Sequence, residues 1–284
     1  MEFGVCIIAL GYELYGTSAL NLAISLKIHE PELQIALLCE PSSIKHLNEK
    51  ELSYFDYLIN VPEKEYKNKN YFRVKLLLPE LSPFEKTIYL DADNIFTDRK
   101  ISWLYGEASQ TDFFIGKNGQ YDYKTGRKTS SLYNYWTEDE KQCCDYHGIN
   151  GILPQTISGF FYFEKTAWTS VMFNEALKVY DDDKAPSHKW GAGKADEYCF
   201  NVALGKLNYI QRDFHCLYFD KLHGFKEPYE IYRDYFGIAM GGHRMSKGIT
   251  ELYNKMVEKY CEIEGLQPRF HVNKADVITE RNKM

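Results

Sequence analysis

Long apolar runs are scarce in this chain, and the one at its start, Phe3 to Leu10, is much shorter than the roughly 18 residues that cross a bilayer. It also lacks a basic leader, so it reads as a first strand and not as a signal peptide. The expectation is a soluble cytoplasmic protein with no transmembrane segment. Paired cysteines are missing as well. The seven present, Cys6, Cys39, Cys143, Cys144, Cys199, Cys216 and Cys261, are odd in number and scattered without metal-ligand spacing. That argues against a disulfide scaffold and fits reduced thiols. Adjacent Cys143 and Cys144 have no Cys-x-x-Cys context for redox or zinc chemistry. Positive charge is in deficit: 34 Lys and Arg against 40 Asp and Glu leave a net charge of -6, with a pI near 5.8. The molecule as a whole attracts neither nucleic acid nor an anionic membrane, although a local basic groove is compatible with that balance. Linkers rich in Pro, Gly or Ser, internal repeats and low-complexity tracts are absent too. The 284 residues therefore read as one large domain over 1–265, followed by a polar tail at 266–284 that either frays or docks on a partner.

What is present alternates between strand and helix patterns. Residues 3–10 form a strand-like run, after which Ala19, Leu20, Leu22, Ala23, Leu26 and Ile28 recur with helical spacing. A strand at 34–39, a short helix over 42–50 opened by a Ser42 cap, and a strand at 56–61 follow. A helix around 70–78 leads, through the turn from Pro79 to Pro83, to a strand that ends near Asp91. Further strands are predicted at 111–116 and 157–164, and helices at 166–180, 195–204 and 249–263, with a polar loop at 181–194. Residues 117–150, rich in Tyr, Gly, Lys and Asp, read as a long connection. This order predicts a single α/β domain with a mostly parallel central sheet flanked by helices.

The segment Lys86-Thr-Ile-Tyr-Leu-Asp-Ala-Asp-Asn-Ile-Phe96 places Asp91 and Asp93 where the strand formers Ile88, Tyr89 and Leu90 stop. Side chains alternate faces along a strand, so this pair points one way and can converge on one hard cation. Carboxylate oxygens suit Mg²⁺ or Mn²⁺, which keep positions open for substrate phosphate oxygens. In open α/β sheets, ligands bind beyond the carboxyl ends of strands. The pair reads as a clamp for a metal and a diphosphate.

Five other segments join it. Tyr71-Phe-Arg-Val-Lys75 puts Lys75 sixteen residues before Asp91; the first strand runs into Ala9-Leu-Gly-Tyr-Glu-Leu-Tyr15. Ile157-Ser-Gly-Phe-Phe-Tyr-Phe163, Lys194-Ala-Asp-Glu-Tyr-Cys-Phe-Asn201 and Gly241-Gly-His-Arg-Met-Ser-Lys247 follow the pair. In this order and spacing the chain, over roughly residues 3–250, resembles the nucleotide-sugar glycosyltransferases of the GT-A fold, and within them the glycogenin and lipopolysaccharide galactosyltransferase group, glycosyltransferase family 8.

The resemblance implies a metal-dependent transfer of a sugar from a UDP-sugar, with retention of anomeric configuration. Asp91, Asp93 and His243 would hold Mn²⁺ or Mg²⁺ on the diphosphate, and the backbone at Ala92 would meet the ribose. Backbone groups at Ala9 and Gly11 would read the uracil edge while Tyr15, standing just before the first helix, stacks on the base; Tyr12 is its near competitor. Lys75 would add a cation beside the donor sugar or its phosphates, Ser158 and Gly159 would approach the sugar, and Lys247 would grip the diphosphate. Asp196, with Glu197 at the place of a glutamine, would lie nearest the anomeric carbon; an acidic pair there equally suits the general base of an inverting transfer. Ile157 replaces an Asn of the family segment, Ser246 replaces a Gly, Lys247 comes two residues early, and no Pro-Trp follows it. His188, His215 and His223 read as surface or loop residues. The acceptor would be a carbohydrate, glycolipid or protein, read by the connection at 117–150.

Two other classes compete. Haloacid-dehalogenase-like phosphatases also carry Asp-x-Asp after an apolar strand, but on their first strand, whereas about 85 residues of βα pattern precede it here. A non-catalytic nucleotide-sugar binder would keep the clamp without turnover. A nucleic-acid acceptor, such as hydroxylated bases in DNA, is opposed by the overall acidity and would need a basic groove beside the site.

Overall fold

The computed structural model describes residues 2–66, 71–96, 101–130, 137, 139–187, 189–190, 193–210, 218–219, 237–239 and 247–270. In chain order, its elements begin β1 (Phe3–Ala9), α1 (Glu13–His29), β2 (Ile35–Cys39), α2 (Pro41–Ile44), α3 (Glu49–Leu52), β3 (Tyr57–Asn60), α4 (Glu63–Tyr66), α5 (Tyr71–Leu76) and α6 (Leu78–Leu81). There follow β4 (Lys86–Asp91), β5 (Asn94–Phe96), α7 (Ile101–Ala108), β6 (Phe113–Asp122), β7 (Arg127–Ser130), α8 (Glu140–His147) and β8 (Ile152–Glu164). The last are α9 (Ala167–Asp181), β9 (Lys189–Trp190), β10 (Gly193–Lys194), α10 (Asp196–Lys206), β11 (Tyr218–Phe219), β12 (Gly237–Ala239) and α11 (Lys247–Glu264). This is the expected α/β fold, a mostly parallel central sheet flanked by helices; the antiparallel part is made by β6, β7 and β8.

The residues pack as two units. One contains Met1–Gly4, Val61–Tyr89 and Gly106–His215; the other contains Val5–Asn60, Leu90–Tyr105 and Cys216–Met284.

In the unit that begins at Val5, β1, β2 and β3 pair in parallel, with Val5 opposite Ile35 and Ala36 opposite Tyr57. Every residue of β2 is buried, as a strand covered on both faces requires. Helix α1 buries an unbroken stretch from Ser18 to Leu26. It starts six residues earlier than the apolar spacing from Ala19 suggests, because Glu13 to Ser18 supply turns of helix without adding to that pattern. The expected helix over 42–50 is instead two short turns. Pro41 opens α2 and Asn48 caps α3, so Ser42 is not the cap. A small sheet of order β11-β12-β5 pairs Ile238 with Ile95, directly after the aspartate pair. The end of α11 is strapped down: Arg269 donates to both carboxylate oxygens of buried Glu51, at 2.6 and 2.9 Å, and to the His46 carbonyl at 3.0 Å. Arg269 thus ties the residues just after α11 to α3.

In the other unit, the strand order is β4-β8-β6-β7. Strand β8 is much longer than the predicted 157–164 and runs antiparallel to β6, while β6 and β7 form a hairpin. The long connection expected at 117–150 is thus largely built: β6 extends to Asp122, Gly126 closes the turn at φ 68°, and Asp139 caps α8 through the Gln142 amide. Register shifts between Ile115 and Gly116 and between Lys117 and Gly119 break the two-residue period, which hides the continuation of β6 beyond Gly116 from pattern reading. Helices α9 and α10 cover β8, and the core between them is aromatic: Phe161 lies 5.3 Å from Phe200 and 6.1 Å from Phe173, ring centre to ring centre. The predicted polar loop at 181–194 contains the β9–β10 pair.

Helix α1 passes α2 so closely that a Cβ on Gly16 would come within 2.0 Å of the Ser43 carbonyl oxygen, whereas Gly106 in α7 has open space around it. Gly16→Ala is expected to destabilise by about 1–3 kcal/mol despite alanine's helix propensity. Gly106→Ala is expected to stabilise by about 0.5–1 kcal/mol. Urea unfolding checks both: the midpoints must move in opposite directions.

Candidate active site

Helix α5 turns Val74, Lys75 and Leu76 inward, so Lys75 is buried where a lysine on a solvated helix face would be free. Its ammonium lies 2.9 Å from Asp196 Oδ2, and the two side chains are only 10% and 2% exposed. The contact is an ion pair. Lys75 Nζ also donates to Ser158 Oγ at 3.3 Å and stands 5.3 Å from the centre of the Tyr89 ring. Ser158 is fully buried on β8, followed by buried Gly159.

Asp196 and Glu197 open α10, and the residue before them, Ala195, provides no side-chain cap. Acidic side chains at a helix start are favoured by the unpaired N–H groups there. Glu197 interacts with the Ser158 hydroxyl. Burial raises its carboxyl from the ordinary 4.5 to about 8, the adjacent Asp196 charge adds to the rise, and Lys75 and Ser158 oppose it. The resemblance names Lys75, Ser158, Gly159, Asp196 and Glu197 but leaves out two neighbours. Tyr89 is one; its place two residues before Asp91 on β4 was the available signal. Lys194 is the other, buried and donating to the Tyr180 carbonyl at 2.6 Å. Tyr180 is buried with its hydroxyl lacking a hydrogen-bond partner.

The remaining expected residues belong to the unit that begins at Val5. Ala9 ends β1, its carbonyl accepting from Ser43 Oγ at 2.7 Å, and Gly11 adopts φ 95°, a left-handed conformation that favours glycine. Tyr15 is not ahead of the first helix but in its first turn, because α1 begins at Glu13; its ring lies 6.3 Å from that of the more exposed Tyr12. Asp91 is the last residue of β4, whereas Asp93 sits in the turn before β5. Strand alternation therefore does not set the direction of the pair. The turn does: Asn94 is buried and donates to the Asp91 carbonyl at 2.6 Å, with Ala92 buried between the two carboxylates. Both aspartates are partly exposed. Among the described residues no three His, Cys, Asp or Glu side chains gather as a metal-holding group. His243, the expected third ligand, lies outside the described residues, as do His188, His215 and His223. Lys247 is the first residue of α11. Cys143 and Cys144 are free and buried, and burial pushes their thiols up to about 11 and about 12, which leaves them inert as thiolate nucleophiles.

No protein-family model matches the chain, and no curated protein matches it by sequence. Solved structures do match. The galactosyltransferase LgtC, in complex with donor and acceptor sugar analogs, superposes with a TM-score of 0.54 at 13% identity, covering 92% of this chain and 95% of that one. The bifunctional glycosyltransferase WbbM gives 0.54 at 14% identity over 93% of this chain and 51% of its own. Mouse xyloside xylosyltransferase 1 gives 0.51 at 11% identity, over 84% and 97%. The chain has the GT-A fold. At these identities the likeness is one of fold, and the chemistry has to be argued from the residues.

Removing the ammonium from this buried group leaves Asp196 uncompensated. Lys75→Met is expected to destabilise by about 3–5 kcal/mol. Adding Asp196→Asn on that background should recover much of the loss, a coupling that a double-mutant cycle in denaturant measures. Simple additivity of the two substitutions would show that the pair is not a unit.

Proposed function

We propose that this protein is a glycosyltransferase that moves a sugar from a UDP-sugar to a hydroxyl of a carbohydrate, glycolipid or protein acceptor, with retention. The observation that carries the reading is the buried group of Lys75, Asp196 and Ser158 on a GT-A fold. A chain does not bury an ammonium against a carboxylate for stability alone; such groups are expensive to desolvate and concentrate where reacting charge must be met.

The roles follow from the chemistry of the leaving group. Breaking a sugar–phosphate bond leaves added negative charge on the nucleoside diphosphate, and Mn²⁺ or Mg²⁺ held by Asp91 and Asp93, with His243, would supply the Lewis acid that neutralises it. Ala9 and Gly11 offer backbone groups to the uracil, Tyr15 a ring to stack on it, and Ala92 its backbone to the ribose. Lys247 is assigned to the diphosphate. Lys75, Ser158 and Gly159 are assigned to the sugar, with Asp196 beside the anomeric carbon, stabilising the cationic character that develops there. No helix among the described residues is long and apolar enough to cross a membrane; a cytoplasmic setting, where the buried cysteines stay reduced, belongs to this proposal.

Incubation with a panel of UDP-sugars and Mn²⁺ is expected to release UDP, and EDTA to suppress it. Asp93→Asn should lower turnover by about a hundredfold or more while leaving the fold intact by circular dichroism. Full metal-dependent activity in Asp93→Asn would remove the pair from the mechanism, and binding of a UDP-sugar without any turnover would leave a nucleotide-sugar binder.

A further inference from the structure

The 2.9 Å contact between Lys75 and Asp196 joins two helices that their own residues hold poorly. Helix α5 has only six residues, too few to persist on backbone hydrogen bonds alone. Helix α10 begins after Ala195, which gives it no side-chain cap. Both pack against α9. That helix is the firm one: it runs for 15 residues, opens with the capping box of Thr166 and Thr169, and buries Met172, Phe173, Ala176 and Val179 on its inner face.

The C-terminal end of α9 takes one contact from each side of the Lys75 to Asp196 pair. Carbonyls in the last turn of a helix lack partners within it, and the negative end of the dipole there favours cations. The Tyr180 carbonyl accepts from Lys194 Nζ at 2.6 Å, two residues ahead of Asp196. Lys194 is buried and forms no ion pair among the described residues, so this helix end is where its ammonium is held. The next residue, Asp181, accepts from Arg73 Nε at 3.1 Å and from Arg73 Nη2 at 3.3 Å, a two-pronged contact between guanidinium and carboxylate. Arg73 also donates to Glu65 of α4. On α5 it stands two residues before Lys75, and residues so spaced point to different sides of a helix. Two anchors on different sides stop a short helix from rolling. The contacts close a ring, from Lys75 to Asp196, from Lys194 to Tyr180, and from Asp181 to Arg73, with no more than one residue between consecutive members along the chain.

We propose that Arg73, Asp181 and Lys194 are positioning residues, which through this ring set how Asp196 meets Lys75. This deepens the sugar-transfer reading and rests on it for the kinetic effect, but not for the ring. None of the three has to touch the sugar or its diphosphate. Opening the ring lets α5 roll or lets the entry to α10 shift, and a displacement of about 1 Å at a reacting centre costs about a hundredfold in rate. A further ion pair supplies the contrast: Lys206, the last residue of α10, pairs with Glu175 of α9, joining the same two helices outside the ring.

Two variants open the ring at different elements, Arg73→Gln on α5 and Lys194→Met on β10, and Lys206→Met serves as the control. The ring is read without ligand, well below each variant's melting temperature, from the rate at which acetic anhydride modifies Lys75, followed by mass spectrometry of the peptide that contains it. Both ring variants should raise that rate by about tenfold or more, and Lys206→Met should leave it within about twofold of the unaltered protein. Should Lys194→Met fail to fold, Arg73→Gln decides, because the Arg73 side chain is 23% exposed and its replacement leaves no buried charge behind. An unchanged rate in the ring variants, or an equal rise in the control, overturns the proposal. With UDP-sugar and Mn²⁺, the ring variants should lower kcat by about tenfold or more while KM for the UDP-sugar stays within about twofold, and Lys206→Met should keep both. A raised KM with kcat unchanged refutes the positioning role while leaving the ring. Absence of turnover in the unaltered protein removes the sugar-transfer reading and the kinetic half with it, and the labelling of Lys75 still decides the ring.

Discussion

An ammonium group taken out of water must find its compensation within a few ångströms, and four elements of one unit are arranged to give it to Lys75. Helix α5 carries the lysine, α10 brings Asp196, β8 brings Ser158 and β4 brings the Tyr89 ring. None of these contacts is made by neighbours in sequence: Ser158 is 83 residues from Lys75 in the chain. Moving any one element would leave a charge or a hydroxyl buried without its partner. The aromatic core of Phe161, Phe173 and Phe200 then has a plain purpose, since it fixes α10 on β8 by apolar packing and so fixes the angle at which the two acids enter.

In the proposed reaction the two units have different parts. The one that begins at Val5 has the parallel strands and the turn of Asp91 to Asn94, where backbone and oxygen donors meet solvent. The other has the antiparallel hairpin, the aromatic core and the buried charges. Cation binding from solvent needs groups that stay wet, and the stabilisation of a developing charge needs groups that stay dry. Each unit has the burial its proposed part requires.

Much of this was legible in the residues. The βα alternation and the strand leading to Asp91 could be read because strand formers and spacing survive translation into structure, whereas Lys75, Ser158 and Asp196 were named through the family resemblance and no local pattern shows their burial. What was lost had physical causes. Tyr15 was placed outside α1 because Tyr12 caps the helix without a side-chain hydrogen bond, so no start signal exists. Asp93 was put on a strand because the turn after Asp91 is only two residues long before β5 begins. The β6–β7 hairpin was hidden by register shifts and by a composition that suits loops equally well. Lys194 and Tyr89 were missed because burial of a lysine or tyrosine is decided by what packs over it, which no local pattern states.

The Arg269–Glu51 pair bears on where this fold stops. Polarity alone would draw the boundary at 266, and a chain cut there would lose the guanidinium that satisfies a 4%-exposed carboxylate of α3. Asn21, which donates both to the Arg269 carbonyl at 3.0 Å and to the Tyr253 hydroxyl at 3.3 Å, would lose the first of these acceptors in the same cut. Through Asn21 the last described residues are thus joined to the middle of α1 and of α11. A short polar segment that looks expendable is a fastening, and an expression boundary or affinity tag belongs beyond it.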